Sequence, residues 1–250
     1  MTTEGDAAPT IQTVQRAALI LCAFTVSQPY LSLKEITIRL GASKATAHRY
    51  TKALRAANLL RYDEQTALYS LGPQVLTLAA SARAGLPIVT VAEPHLEKLV
   101  KQVDETVVLS VWDGEAPTVV RSADNTDHSV RISVRAGARL EVTGSAQGRV
   151  FCAFLPPDQV PGLPKLLHQS PELAGELAAI RERGVAVDSL APSGVRTIAA
   201  PVFEGATIIA AMAIVGTAVS VPPDVDSTMA KSLVETAGEL SRRLGSLSPF

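Results

Sequence analysis

The sequence predicts an α+β chain with an N-terminal winged helix-turn-helix, a linker helix, and a C-terminal antiparallel sheet with flanking helices. Three observations predict it. Residues 31–57 read as two short helices around a tight turn, and residues 59–71 read as a β-hairpin directly behind them. From Ile88 onward, hairpin-linked strands are interleaved with amphipathic helices, the pattern of a mainly antiparallel sheet covered by helices.

The N-terminal elements follow from local chemistry. Ser32 and Glu35 form the S-x-x-E pattern of a capping box, so a helix begins after Ser32. Leu33, Ile36 and Leu40 share one face of it, and Gly41 marks its end. Ser43 is a suitable N-cap for the next helix, whose inward face is Ala47, Tyr50, Leu54 and Ala57. Its outer face carries His48, Arg49, Lys52 and Arg55, with Lys44 on the flank. The run Leu59 to Leu71 then gives two strands around a polar turn, a wing. Between Lys34 and Arg61 seven cations (Lys34, Arg39, Lys44, Arg49, Lys52, Arg55, Arg61) face one acid, Glu35, in a chain whose net charge is −1. Positive charge gathered on one helix-turn-helix suits phosphate contact, with the second helix in a major groove. The candidate DNA-binding residues are Ser43, Lys44, Thr46, His48, Arg49, Lys52 and Arg61. Arg49 is the expected base reader, and Lys44 and Arg61 are expected on phosphate.

After Gly72-Pro73, residues 74–84 read as a helix ending at Gly85, with apolar residues over more of its circumference than one core face needs. Burial on two sides is expected of it. The remaining expected elements are a helix over 93–103, strands at 106–112, 117–121 and 130–134, and helices over 145–155 and 172–183. Strands at 185–187, 196–203 and 207–215 and a last helix over 224–244 complete the series. The domains expected are a disordered tail (1–9), the winged helix-turn-helix (10–73), the linker (74–87) and a ligand-binding domain (88–250).

Composition narrows the function classes. Two hundred and fifty residues suffice for two modest cores, and no window approaches the roughly 18 apolar residues of a membrane span. The polar, acidic start Met1–Pro9 is unlike a signal or transit peptide. Cys22 and Cys152 read as reduced core residues, so a cytoplasmic protein without a membrane partner is expected. His48, His95, His128 and His168 are scattered without metal-ligand spacing, and no nucleophile elbow, Walker loop or dinucleotide fingerprint occurs. No metal, no cofactor and no catalytic residue is expected. The alternative, a small-molecule-converting enzyme built on the C-terminal domain, would have to rest on Ser145.

The order of these motifs resembles the IclR family of transcriptional regulators over about Thr10 to Leu244. The resemblance is carried by residues 11–17 (IQTVQRA), 40–49 (LGASKATAHR), 69–73 (YSLGP), 148–156 (GRVFCAFLP), 180–184 (IRERG) and 199–203 (AAPVF). It implies a DNA-binding domain on double-stranded operator DNA, a linker helix that dimerises, and a GAF-like domain that binds a small effector. A homodimer or dimer of dimers is expected. Thr143-Gly144-Ser145-Ala146 opens the helix over 145–155, where small residues and unpaired N–H groups suit an anion. An organic-acid effector is therefore expected between that helix and the sheet. The family's pattern, mapped residue by residue, nominates Gly144, Ser145, Ala146, Asp188 and Thr197, with Leu109, Val111, Val134, Leu140, Phe151 and Met212 as apolar walls. The chain departs from the family at Thr143, Gln147, Arg149, Thr197 and the small residues 189–193.

Overall fold

A computed structural model describes residues 12–25, 27–124, 132–190 and 194–246; the expected N-terminal tail lies outside them. Chain contacts divide the protein into two units between Gly85 and Leu86.

The first unit opens with α1 (Gln12–Cys22), an element that the sequence reading did not single out. A two-residue strand β1 (Leu31–Ser32) leads directly into α2 (Leu33–Leu40), and α3 (Lys44–Ala56) follows. The wing is β2 (Leu60–Asp63) and β3 (Leu68–Leu71), and β1 joins it as a third antiparallel strand in the order β1-β3-β2. The capping box forms: the Ser32 hydroxyl accepts the Glu35 N–H at 3.3 Å while the Glu35 carboxylate accepts the Ser32 N–H at 2.7 Å. Gly41 stops α2 in the left-handed region at φ 60°. The core gathers Ile20, Leu31, Ile36, Ala47, Tyr50, Leu54, Leu60 and Tyr69. Ala57, expected inside, is the exposed C-cap of α3, because the helix ends one residue before it.

Helix α4 (Pro73–Ala84) departs from expectation. Among the described residues nothing buries it on any side: Leu76 keeps 75% of its surface and Leu78 52%, and only Val75 is half-buried among its described side chains.

The second unit is a five-stranded antiparallel sheet in the order β5-β4-β8-β7-β6. Its strands are β4 (Thr106–Trp112), β5 (Pro117–Ala123), β6 (Ala186–Leu190), β7 (Val195–Glu204) and β8 (Thr207–Thr217). Helices α5 (Pro87–Val103) and α9 (Thr228–Arg243) cover one face. Helices α6 (Ala146–Phe154) and α8 (Pro171–Arg183), with the short α7 (Leu163–Gln169), cover the other. Helix α5 starts six residues before the expected Glu93 and continues through Pro94, because Ile88, Val89 and Ala92 are buried in the core. Helix α9 starts late: the Asp224 carboxylate takes the Asp226 N–H at 2.9 Å in a turn, leaving Ser227 as the N-cap. Among the described residues no single helix is long and apolar enough to cross a membrane.

Of the strand expected at 130–134, the described part does not form. Val130 and Arg131 lie outside the described residues, and 132–134 have no regular structure. This segment finds its hydrogen bonds elsewhere: the Thr106 hydroxyl donates to Ile132 C=O, and the Gly137 and Leu140 N–H groups donate to β5 carbonyls at Val119 and Pro117. It lies over the α6-side face with Ile132, Val134, Ala138 and Leu140 packed down.

Arg139 secures that segment by bonding Asp113 at 2.9 and 3.0 Å and Glu115 at 3.0 Å. Burial alone would raise the Asp113 pKa. Hydrogen bonds from Arg139, the Ala116 and Glu115 N–H groups and Thr118 outweigh burial and hold it at about 2, against an ordinary 3.8. A depressed pKa contributes stability above the unfolded value, which is lost as pH falls from about 3.8 through about 2. Asp113→Asn is expected to lower stability at pH 7 by on the order of 1–2 kcal/mol, discounted for partial exposure. It should also flatten the stability change between about pH 4 and pH 2, measured by urea titration at a series of pH values.

Candidate nucleic-acid interface and effector site

Helix α3 is anchored at its start by Ser43, whose hydroxyl accepts the Thr46 N–H at 3.2 Å and lies 3.0 Å from the Thr46 hydroxyl. These two candidate DNA contacts therefore hold the helix end itself. Ala47, Tyr50, Thr51 and Leu54 turn inward. That leaves Lys44, His48, Arg49, Lys52 and Arg55 exposed on the outer side, with Arg61 exposed on β2. None of the cations Lys44, Arg49, Lys52, Arg55 and Arg61 has an ion-pair partner among the described residues. Arg39 differs from them: its guanidinium donates to the Ala23 carbonyl and the Gln28 side chain, so it pins the loop after α1.

Two grooves border α3. One, of about 610 Å³, runs between α2 and the wing and is lined by Lys34, Lys44, His48, Arg55, Tyr62 and Tyr69 among others. The second, of about 510 Å³, is lined by Lys52, Arg55, Ala56, Leu60, Arg61 and Tyr62. Arg55 stands between them, its guanidinium 5.2 Å from the Tyr62 ring, which lies 4.7 Å from Tyr69. The sequence places Arg55 on the outer face but outside the expected contact set; its place beside Tyr62 depends on the fold of the wing. The wing tip is acidic, with Asp63 and Glu64 both exposed. Asp63 is occupied in taking the Gln65 and Thr66 N–H groups.

In the second unit, α6 begins at Ser145. The Ser145 hydroxyl accepts the Gly148 N–H at 3.0 Å and donates to Glu141 C=O at 2.6 Å, so its proton is already committed. The N–H groups of Ala146 and Gln147, at the first two helical positions, have no intrahelical acceptor. Gly148 lies so close to the preceding turn that a Cβ there would meet Val142 C=O at 2.1 Å and Glu141 C=O at 2.3 Å. Arg149 ties α6 to its neighbours through one part-exposed carboxylate and one buried one. Its Nε donates to Thr143 C=O at 2.9 Å, and its Nη1 lies 3.0 Å from Glu176 and 3.7 Å from Asp188. Asp188 is buried at 8% exposure, and Thr197 is its register partner across β6–β7. Burial pushes the Cys152 thiol up to about 11, which keeps it protonated and inert at neutral pH.

The structure brings Gly144, Ser145, Ala146, Phe151, Asp188 and Thr197 to the α6 side of the sheet, with Val134 and Leu140. It does not bring Leu109, Val111 and Met212 there. Leu109 and Met212 are register partners whose side chains pack under α5 and α9, and Val111 joins the same cluster. Alternation puts Val108, Ser110 and Trp112 on the α6 face instead, where the Trp112 and Phe151 rings are 5.6 Å apart. Both faces of β4 are buried, so its run of apolar residues carries no parity signal. Among the described residues no group of three or more metal-ligating side chains is brought together.

A family model described as "Bacterial transcriptional regulator IclR C-terminal" matches residues 80–242, and one described as "IclR helix-turn-helix domain" matches residues 13–64. The chain is similar to the HTH-type transcriptional regulator XynR of Escherichia coli, at 28% identity over 95% of this chain and 98% of that one. It is 32% identical to the HTH-type transcriptional regulator Rv1719 of Mycobacterium tuberculosis over 71% of each chain. The crystal structure of a transcriptional regulator from Alicyclobacillus acidocaldarius superposes with a TM-score of 0.77 at 26% identity, covering 94% of this chain and all of that one.

The close approach at Gly148 sets up a stability test. Gly148→Ala should cost on the order of 1–3 kcal/mol in urea unfolding, since the obstruction is backbone that cannot swing away. Gly175→Ala, on the open side of α8 with nothing within 4 Å of a new Cβ, should be neutral or slightly stabilising. Equal effects of the two changes would show that α6 does not rest on that turn.

Proposed function

The chain belongs to the IclR family of bacterial transcriptional regulators, and from that premise we propose that α3 reads operator DNA while the start of α6 holds a small organic acid. As a member of that family it is a DNA-binding transcriptional regulator. The observation that carries the DNA part is the row of unpaired cations on a helix capped by Ser43 and braced by a wing. Arg49 is assigned to base edges and Lys44 to phosphate, with Lys52 and Arg61 flanking. Because the wing tip presents Asp63 and Glu64, the wing's phosphate contact is assigned to Arg61 near its base.

The effector part rests on the donors at Ala146 and Gln147, which meet an anion at the positive end of α6. The apolar body of the acid lies against Phe151 and the α6-side face of the sheet. Helix α4 supports a dimer: its leucines are exposed among the described residues, and a second copy would bury them. Residues 74–87 then serve as the linker, between a winged helix-turn-helix over 10–73 and an effector domain over 88–250. Action on operator DNA places the protein in the cytoplasm. A converting enzyme finds less support, since the relatives are regulators and the Ser145 hydroxyl is used to cap α6.

Arg49→Ala is expected to cost on the order of 1–3 kcal/mol at one operator position and to relax preference there, measured on DNA selected from a random pool by the wild type. Lys44→Ala should weaken binding to every sequence and reduce the salt slope by about one. If Arg49→Ala bound selected and random DNA as the wild type does, another residue reads that base.

Gly144→Leu tests the effector site. The three atoms nearest a Cβ at Gly144 all belong to the Glu141 side chain, with Oε2 at 2.2 Å, and that flexible end can move aside without unfolding α6. In a thermal-shift screen of aromatic and short-chain organic acids, acids that stabilise the wild type should lose their effect on this variant, while operator binding without ligand is retained. An unchanged ligand response in a folded variant would place the pocket elsewhere.

A further inference from the structure

The layer between α6 and the sheet holds a polar atom that the fold does not use. Ser110 lies in the middle of β4 at 0% exposure, and its Oγ has no hydrogen-bond partner among the described residues. Its register partners are Val119 on β5 and Ala211 on β8, both members of the α6-side core. A buried hydroxyl left without a partner destabilises the folded state, and an alanine or valine would fill the position without that cost. The neighbouring floor does use such residues, at Ala199, Ala211 and Ala213.

Ser110 also sits where the cover changes. Helix α6 packs mainly on β6, β7 and β8, while the β5 edge of the same face is closed by the segment from Ile132 to Leu140, which has no regular secondary structure. The Trp112–Phe151 ring pair stands on this side of the sheet. Two kinds of unused polar group thus belong to one layer: the Ala146 and Gln147 N–H groups at the mouth of α6, and the Ser110 hydroxyl in the floor. Aromatic rings and small alanines share that layer with them.

We propose that Ser110 is the hydrogen-bonding reader of the effector, selecting an acid whose flat apolar body carries a hydroxyl or carbonyl oxygen away from its carboxylate. The inference rests on the effector reading of the α6 start. The carboxylate takes the helix donors, the ring lies against Trp112 and Phe151, and the second oxygen satisfies Ser110. A site built to hydrogen-bond such an oxygen rejects the analogue that lacks it, because the buried group is then left unpaired. The ligand class is therefore a hydroxylated or oxo-substituted aromatic acid.

Two measurements on the full chain test it. Without ligand, Ser110→Ala should raise the melting temperature by a few degrees, because it removes an unsatisfied group. A fall would mean that the hydroxyl has a structural partner, and would overturn the proposal. With benzoate, 3-hydroxybenzoate and 4-hydroxybenzoate as probes, the wild type should bind at least one hydroxybenzoate on the order of tenfold more tightly than benzoate, and Ser110→Ala should level the difference. Hydroxybenzoates that shift the wild type no more than benzoate does, or a preference that survives in Ser110→Ala, would overturn it. Gly144→Leu separates the two levels. A probe response that persists in that variant removes the effector site itself, whereas a response lost there with preference intact in Ser110→Ala removes only the role of Ser110.

Discussion

The second unit is organised around the point where α6 lies directly on the backbone of Glu141 and Val142. Gly148 has no Cβ, so the helix can approach carbonyls that any larger residue would strike. That approach has three consequences. It lets Ser145 cap Gly148 while its proton reaches Glu141 C=O, it brings the Cys152 thiol within 3.6 Å of Val142 C=O, and it sets Arg149 to bond Thr143 C=O. The turn before the helix is thereby fixed from both ends. The pair of N–H groups ahead of the first full turn has no acceptor within the helix, and such groups suit an anion.

Arg149 shows how a single charge can organise a site without being its ligand. Its reach to Glu176 on α8 and Asp188 on β6 ties together the elements around the start of α6. Asp188 is buried, and the Arg149 guanidinium 3.7 Å away is the cation that faces it. The two residues therefore belong to one unit. In the first unit the logic is reversed: Lys44, Arg49, Lys52, Arg55 and Arg61 have no ion pair among the described residues, which suits them to phosphate.

Legibility in the sequence followed the range of the interaction. The capping box at Ser32 and Glu35, the Gly41 stop and the Ser43 cap are each decided within three or four residues, and each stands where the sequence places it. The α+β class was legible for the same reason, since hairpins and amphipathic helices repeat locally. What failed depends on partners far along the chain. The face of Leu109, Val111 and Met212 is set by a register between β4 and β8, a hundred residues apart, on strands buried both ways. The segment at 132–134 alternates like a strand but spends its hydrogen bonds on Thr106 and β5. Arg39 looks like another cation of the DNA face until the loop at Ala23 and Gln28 folds onto it. The use of Ser110 could not be read at all, because an unpaired hydroxyl is a property of the packed sheet.

Helix α4 is bound to the wing it follows. It grows out of the wing without a flexible joint: the Gly72 N–H donates to Leu59 C=O at 2.8 Å, the Gln74 N–H donates to Asn58 C=O at 3.2 Å, and a Cβ at Gly72 would strike Asn58 C=O at 2.0 Å. The helix therefore moves with α3 as one body. On the proposed reading, its leucines are buried by a second copy, and the pairing angle of the two helices fixes the spacing between the two recognition helices. Operator half-sites recur at about one helical turn of DNA, so that spacing decides affinity. An effector changes it only by binding one pairing more tightly than another, and a shift from 1:99 to 99:1 needs a difference of about 5.5 kcal/mol.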